Sequence, residues 1–350
     1  ILKKNEYQLN KEKIFFNKSF LAVGKIKKNH NIINEENMSC QKCGFCMHKC
    51  PYKLIFNPRY YFEVLKNNKN FTYHHNYRVN SLEESDGLVN INYTEDTRKN
   101  KKISAKKAFL CAGPIQNLII LNNSNLIDNK KTFQLKETQQ FIFLAKLIGK
   151  NNSKEFSYST LSKINIHLSE KMGLKKVVNF QIYPYSEIFL QSLTNIFGSL
   201  VITLQSFFFK KLNNFVSIQG FLHSDYSNKL KLKYDDKIKK FIVTEDKNIS
   251  LKDKIKGIIN SFSNKFYKEK NISFYKFPIK ILKTGQSYHV GSIFPMSKNP
   301  SINECDLQGR LKNTKNIHIL DSSILPDIPA TSFTFLILAN AMRIINSLKE

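Results

Sequence analysis

A strand that runs through a small-residue turn directly into a helix is the feature that most constrains the fold of this chain. The apolar residues of 103–111 show the alternating and clustered pattern of a strand, and residues 115–121 predict a helix. Between them lies Ala112-Gly113-Pro114, a turn of small residues with a proline suited to a first helical position. Such a junction is typical of ligand-binding sites in α/β folds.

The end of the chain returns to the same pattern. Residues 316–321 predict a short apolar strand, and after a polar turn residues 333–348 predict a strongly apolar helix. A helix with so few polar positions is normally buried, so we expect it to pack against a sheet. The two junctions together predict the α/β class.

Antiparallel structure is predicted elsewhere. Residue runs of strand character occur at 70–82, 88–94, 176–183, 215–222 and 229–234, with helices at 59–66 and 251–268. The turn Ser85-Asp86-Gly87 joins the first two strands. The run 229–234 alternates lysine with apolar residues, so one of its faces should be buried and the other exposed. Residues 135–285 therefore predict a separate antiparallel sheet with a helix on one side.

The net charge of +28 does not by itself indicate a nucleic-acid partner. The lysines are scattered along the chain, whereas a nucleic-acid surface would cluster them with aromatic residues. Abundant Lys, Asn, Ile and Phe together favour codon bias, so we expect no nucleic-acid partner.

Membrane and targeting signals are weak. The most apolar stretch, 188–209, is interrupted by eight polar residues, which favours a core or lid segment over a spanning helix or a peripheral contact. Ile1–Asn10 is polar and lysine-rich, unlike a signal peptide, so we expect a cytoplasmic location.

The strongest functional signal is an ordered set of C-terminal motifs. Residues 287–296 read SYHVGSIFPM, residues 319–326 read ILDSSILP, and Thr331-Ser332-Phe333-Thr334 opens the last helix. This order resembles the C-terminal domain of glucose–methanol–choline (GMC) oxidoreductases. The strand, Ala112-Gly113 and helix described above resemble another signature of that family.

The resemblance implies a Rossmann-like, FAD-binding flavoprotein fold of the vicinal oxygen type with an inserted substrate domain. Residues 1–134 would be a partial FAD-binding domain, 135–285 the substrate (cap) domain, and 286–350 the catalytic and FAD-binding segment. No Gly-x-Gly-x-x-Gly occurs in the chain, so we expect its dinucleotide-binding βαβ unit to be missing through N-terminal truncation.

By this resemblance His289 is the catalytic base, because an imidazole titrates near working pH and can accept a hydroxyl proton. The family places a second His or Asn just before the last helix, and here that position is Ser332. A serine can form one hydrogen bond but cannot share a proton as histidine can. Thr331 and Thr334 are alternative partners, and a catalytically impaired binding protein is an alternative function.

Further residues are implied in cofactor binding. In the family, Asp321 and Ser322 would lie near the ribityl and phosphate region of FAD, Ala112 and Gly113 at the strand–helix turn, and Val79 beside the adenine. Free backbone N–H groups at the start of the last helix, at Thr334, suit the electron-rich end of a reduced flavin.

Four cysteines form a separate motif. Cys40, Cys43, Cys46 and Cys50, followed by Pro51, have the spacing of a bacterial ferredoxin run. An iron–sulfur cluster would be bound by Cys40, Cys43 and Cys46, with Cys50, Cys111 or Cys305 as the fourth ligand. Zinc bound with or without His48, and a metal-free loop like one in several bacterial GMC relatives, are the alternatives.

The sequence thus predicts an FAD-dependent enzyme that oxidises an alcohol, sugar or polyol and passes electrons to an acceptor. An iron–sulfur electron-transfer protein based on the cysteine run, and a basic binding module, are the competing hypotheses.

Overall fold

The computed structural model describes residues 14–18, 43, 45–47, 50–95, 100–147, 161–162, 164–169, 175–184, 215–267 and 272–348. This part of the chain has a mixed α/β fold with several antiparallel sheets. Its strands are β1 Ile14–Lys18, β2 Arg78–Ser85, β3 Leu88–Thr94, β4 Asn100–Ala105, β5 Ala108–Leu110, β6 Phe133–Glu137, β7 Gln140–Leu147, β8 Ile164–Leu168, β9 Val178–Pro184, β10 Phe215–Phe221, β11 Lys229–Asp235, β12 Lys240–Asp246, β13 Ile272–Ile281, β14 Val290–Gly291 and β15 Ile317–Ile319. Its α-helices are α1 Arg59–Lys66, α2 Pro114–Asn123, α3 Leu251–Tyr267 and α4 Thr334–Ser347.

The largest sheet is antiparallel, in the order β1-β8-β9-β10-β7-β13. Helix α3 lies on one face, where Phe262 meets Phe180 edge-on with ring centroids 4.8 Å apart. Phe141 and Phe143 complete this aromatic core. Burial of each such ring contributes about 2–3 kcal/mol, which fixes the helix on the sheet.

A second sheet has four strands, in the order β12-β11-β6-β14. Strand β6 ends at Glu137 and the chain enters β7 of the large sheet at Gln140. Two residues therefore connect the two sheets. Sheet membership does not follow the predicted domain boundaries, because β1 joins the large sheet and the hairpin β11–β12 joins β6; the domain division itself stays a prediction.

The two predicted junctions meet in a short parallel sheet. Strand β5, which leads into α2, pairs in parallel with β15, which leads into a 3₁₀ turn at Ser322–Ile324. Buried side chains of both strands and of α2 form one core, among them Leu118, Leu121 and Ile319. The carboxyl ends of both strands therefore lie side by side, where α/β folds place their ligand sites.

Most predicted elements are confirmed, with two corrections among the strands. The strand predicted at 70–82 begins only at Arg78 and continues to Ser85. The single strand predicted at 103–111 is two strands in different sheets, because the chain leaves β4 at two exposed lysines, Lys106 and Lys107, before it enters β5. The predicted turn is confirmed: Asp86 and Gly87 have φ of 51° and 75°, the conformation of a tight hairpin.

The predicted burial of the last helix is wrong. Helix α4 forms as predicted, but it places only Ile344 fully in the core, while Phe335, Leu336, Leu338 and Met342 are exposed. The apolar residues surround the helix, whereas the neighbouring elements cover only the side that faces Ile344.

The stretch 188–209 lies outside the described residues. In the part of the chain that the structure describes, none of the helices combines the length and apolar character that crossing a membrane requires.

Candidate active site

His289 enters the structure at the end of a loop, immediately before β14. Strand β14 pairs with β6, so that Val290 lies opposite Glu137 and Gly291 opposite Lys136. The Thr138 N–H donates to the His289 carbonyl at 3.1 Å, which extends the pairing to His289 itself. The backbone of His289 is therefore fixed by a sheet rather than carried on a free loop.

Two phenylalanine rings hold the imidazole. Phe221, at the end of β10, stacks on it with centroids 5.7 Å apart, and Phe333 meets it edge-on at 5.0 Å. Phe333 is the residue immediately before α4. The imidazole therefore lies at the start of the last helix, between the large sheet and the C-terminal segment.

The surroundings of His289 favour its neutral form. Burial lowers the pKa of the imidazole below its ordinary value, because a charged ring would lose its hydration. Its Nδ1 atom is buried and has no hydrogen-bond partner in the described residues. A neutral imidazole at neutral pH is the form that can accept a proton.

The segment that follows His289 lies against the 3₁₀ turn that follows Asp321. Ser292 N–H donates to the Ser322 carbonyl at 2.9 Å, and Phe294 N–H donates to the Ser323 carbonyl at 2.8 Å. The segment 290–294 thus brings the predicted base and the predicted Asp321-Ser322 pair into one local structure.

The Asp321 carboxylate ties the two strand–helix junctions together. Its Oδ2 accepts from Gly113 N–H at 2.7 Å and from Asn117 Nδ2 at 2.9 Å, and its Oδ1 accepts from Ser323 N–H at 2.9 Å. The predicted contact of Asp321 with a cofactor stays a prediction. What the structure shows is a carboxylate that joins the start of α2 to the end of β15.

Gly113 has φ of 85°, a conformation that favours glycine, and Pro114 follows at the first helical position. This turn lets the Gly113 N–H point at Asp321. Ala112 N–H is held by Asn117 Oδ1 at 3.3 Å.

Sequence reasoning missed Asn117. It is fully buried, and its Nδ2 also donates to Ser323 Oγ at 3.0 Å. The available signal was the pair of amides Gln116-Asn117 in the otherwise apolar predicted helix 115–121, because a polar side chain on the buried side of a helix needs internal partners.

The other predicted site residues lie as follows. Ser332 is exposed and adjoins Phe333, and Thr334 is exposed at the first turn of α4. Val79 is half-buried on β2 and packs on the core shared with α2. The structure thus brings His289, Ser332, Thr334 and the Asp321 turn to one region, with Val79 on the strand beside α2.

The cysteine run gains no support as a metal centre. Cys43, Cys46 and Cys50 are free and partly buried, and Cys40 lies outside the described residues. Cys111 is exposed and Cys305 is buried.

The described residues that could converge on a metal ion are instead His223, Asp225 and Asp327. There the Lys176 ammonium group lies 3.8 and 3.5 Å from the two carboxylates and offsets part of their negative charge.

Comparison with known proteins gives the same picture. Residues 259–341 match the family model described as GMC oxidoreductase, which confirms the resemblance drawn from the C-terminal motifs. A solved structure, "Crystal structure of pyridoxine 4-oxidase from Mesorbium loti", matches with a TM-score of 0.54 and 12% sequence identity over 84% of this chain. The chain spans 60% of the length of that protein, and at this identity the likeness concerns the fold. No curated protein matches significantly in sequence.

Proposed function

We propose that the protein is a flavin-dependent oxidoreductase that oxidises the CH–OH group of an alcohol, sugar or polyol. The match of residues 259–341 to the GMC oxidoreductase C-terminal domain supports this proposal. The observation that carries the proposal is the position of His289. Its neutral imidazole lies at the start of α4, between Phe221 and Phe333. A histidine so placed suits a base that takes the hydroxyl proton.

The described residues fit the ring end of FAD. Among the described residues no side chain caps the start of α4, so the N–H groups of its first turn are available to an electron-rich partner such as the pyrimidine edge of a flavin. Thr334 belongs to this turn, and Ser332 adds an exposed hydroxyl beside it. The pyrophosphate has no such counterpart, since the chain contains no Gly-x-Gly-x-x-Gly.

Bound FAD would supply the hydride acceptor. The chain itself has to hold the carbinol and remove its proton. Because His289 Nδ1 is enclosed by protein, Nε2 is the ring atom that would accept the proton. Phe221 and Phe333 keep the ring in place and keep water from its faces. Ser332 can donate one hydrogen bond to the substrate oxygen but cannot take its proton.

The test is anaerobic reduction of FAD bound to the protein in its full natural length, followed by flavin absorbance with a panel of primary and secondary alcohols and polyols. We expect His289→Gln to slow the reduction about 10²–10⁴-fold, the usual contribution of a general base, while the exposed His75→Gln leaves it unchanged.

Equal rates for His289→Gln and the natural protein would contradict the assignment of the base. Tight FAD binding without reduction by any alcohol would contradict the proposed activity and would favour the impaired, binding-only alternative.

A further inference from the structure

Four consecutive polar residues are buried where the chain passes from β6 to β7. They are Glu137, Thr138, Gln139 and Gln140, and the Glu137 side chain is only 1% exposed. Burying polar groups is costly unless they are hydrogen-bonded, and a buried carboxylate is especially costly. Such a run indicates that these side chains form hydrogen bonds that offset the cost of their burial.

The Glu137 carboxylate binds the backbone of the loop that leads to His289. Both of its oxygens accept from the Gly285 N–H, at 3.1 and 3.0 Å, and it accepts from the Ser287 N–H as well. In the described part of the chain no lysine or arginine pairs with it. Burial raises the pKa of Glu137, and the Gly285 and Ser287 N–H groups act in the opposite direction.

Thr138 continues the attachment. Its N–H donates to the His289 carbonyl at 3.1 Å, and its Oγ1 lies 3.2 Å from Ser287 Oγ. Ser287 Oγ in turn accepts from the His289 N–H at 3.1 Å. Every backbone polar group of His289 is therefore held by Thr138 or Ser287, and the turn before it is held by Glu137.

We infer that Glu137 is a positioning residue, which fixes the loop 285–287 and thereby the direction in which His289 presents its imidazole. The inference rests on the proposed function for its catalytic meaning, although the loop geometry stands without it. The carboxylate does not touch the imidazole in this arrangement. It acts through the backbone, where Gly285 turns with φ of 84°.

The alternative is that Glu137 stabilises only the junction of the two sheets. A structural role alone would change the unfolding of the protein and leave the turnover of folded molecules intact. A positioning role changes turnover at saturating substrate, because a displacement of about 1 Å in a catalytic group can cost about 10²-fold in rate.

The variant to test is Glu137→Gln, which keeps the shape of the side chain but replaces one acceptor oxygen with an NH₂ group that faces the loop N–H groups. Glu245→Gln is the matched control. Glu245 is exposed and contacts the same loop only through side chains, where its carboxylate accepts from Thr284 Oγ1 and Asn228 Nδ2. Glu137→Asp, which keeps the charge but shortens the reach, replaces Glu137→Gln if that variant does not fold.

Two measurements are combined: the ring signals of ¹³C-labelled histidine, assigned with His289→Gln, and the rate of flavin reduction. We expect the His289 signal to shift in Glu137→Gln and not in Glu245→Gln. We also expect flavin reduction at saturating alcohol to fall at least about 10-fold, with KM nearly unchanged.

An unshifted His289 signal overturns the inference, and so does a shifted signal with an unchanged rate. If the natural protein itself reduces no flavin with any alcohol, the proposed function fails. The histidine signal alone then decides whether Glu137 directs His289.

Discussion

Gly291 lies directly against the carbonyl group of Ser322: a Cβ at position 291 would be 2.3 Å from that oxygen. The contact is between backbones, so neither side can move aside as a side-chain tip would. It brings the strand after His289 onto the turn after Asp321 and so determines the distance between the two C-terminal motifs.

Gly291→Ala should therefore destabilise the protein by about 1–3 kcal/mol, the usual cost of overpacking a tight contact, and should displace β14. Urea unfolding measures the change. The control is Gly257→Ala in α3, where an added Cβ has no neighbour within 4 Å and alanine favours the helix by about 0.5–1 kcal/mol. Equal stability of Gly291→Ala and the natural protein would show that the strand yields easily.

Removal of the Asp321 carboxylate should be costly. Asp321→Ala leaves Gly113 N–H and Ser323 N–H without an acceptor and removes one of the two acceptors of Asn117 Nδ2, and we expect a loss of about 3 kcal/mol in the free energy of unfolding. Asp235→Ala is the control, because its carboxylate accepts from two N–H groups of an exposed turn and should cost less than about 1 kcal/mol. Similar losses in both variants would contradict the role of Asp321 as the link between the two junctions.

The sequence was sufficient to predict the elements that depend on a local pattern of residues. The helix after Ala112-Gly113-Pro114 and the turn at Asp86-Gly87 follow from residue type alone, since proline and glycine restrict the backbone where they stand. The order of the C-terminal motifs also indicated a resemblance to GMC oxidoreductases, and residues 259–341 match the model of that family.

The partners of the site could not be found in the same way. Asn117 and Asp321 are 204 positions apart, and Glu137 and Gly285 are 148 apart, so no local pattern connects them. In the sequence Gly291 is only one residue of the motif 287–296, and the structure shows that a close backbone approach requires a glycine there. The exposure of α4 likewise depends on which neighbours cover it and not on its own composition.

The pH dependence of stability should report the burial of His289. Since burial lowers its pKa, the unfolded chain binds a proton at this position that the folded protein resists. The free energy of unfolding therefore has no penalty from His289 above the pKa of the unfolded chain, about 6.5, and it decreases as the pH falls below that value.

The free energy of unfolding of the natural protein should therefore fall more steeply than that of His289→Gln between about pH 7 and 5, by at most about 1.4 kcal/mol per pH unit. The other buried histidines titrate in both proteins and cancel in the difference. Parallel curves would contradict the burial of the ring.

The exposed apolar side of α4 should tolerate substitution that the core does not. Phe335 is 75% exposed and Ile344 is fully buried, although both are large apolar residues of one helix. Phe335→Ser should change the free energy of unfolding by less than about 1 kcal/mol and should increase solubility, because it removes apolar surface from water. Ile344→Ala should cost about 2–5 kcal/mol through lost burial and the cavity left behind. Urea unfolding of the two variants measures both losses of stability. A loss for Phe335→Ser comparable to that for Ile344→Ala would mean that the outer face of α4 is packed against protein rather than open to water.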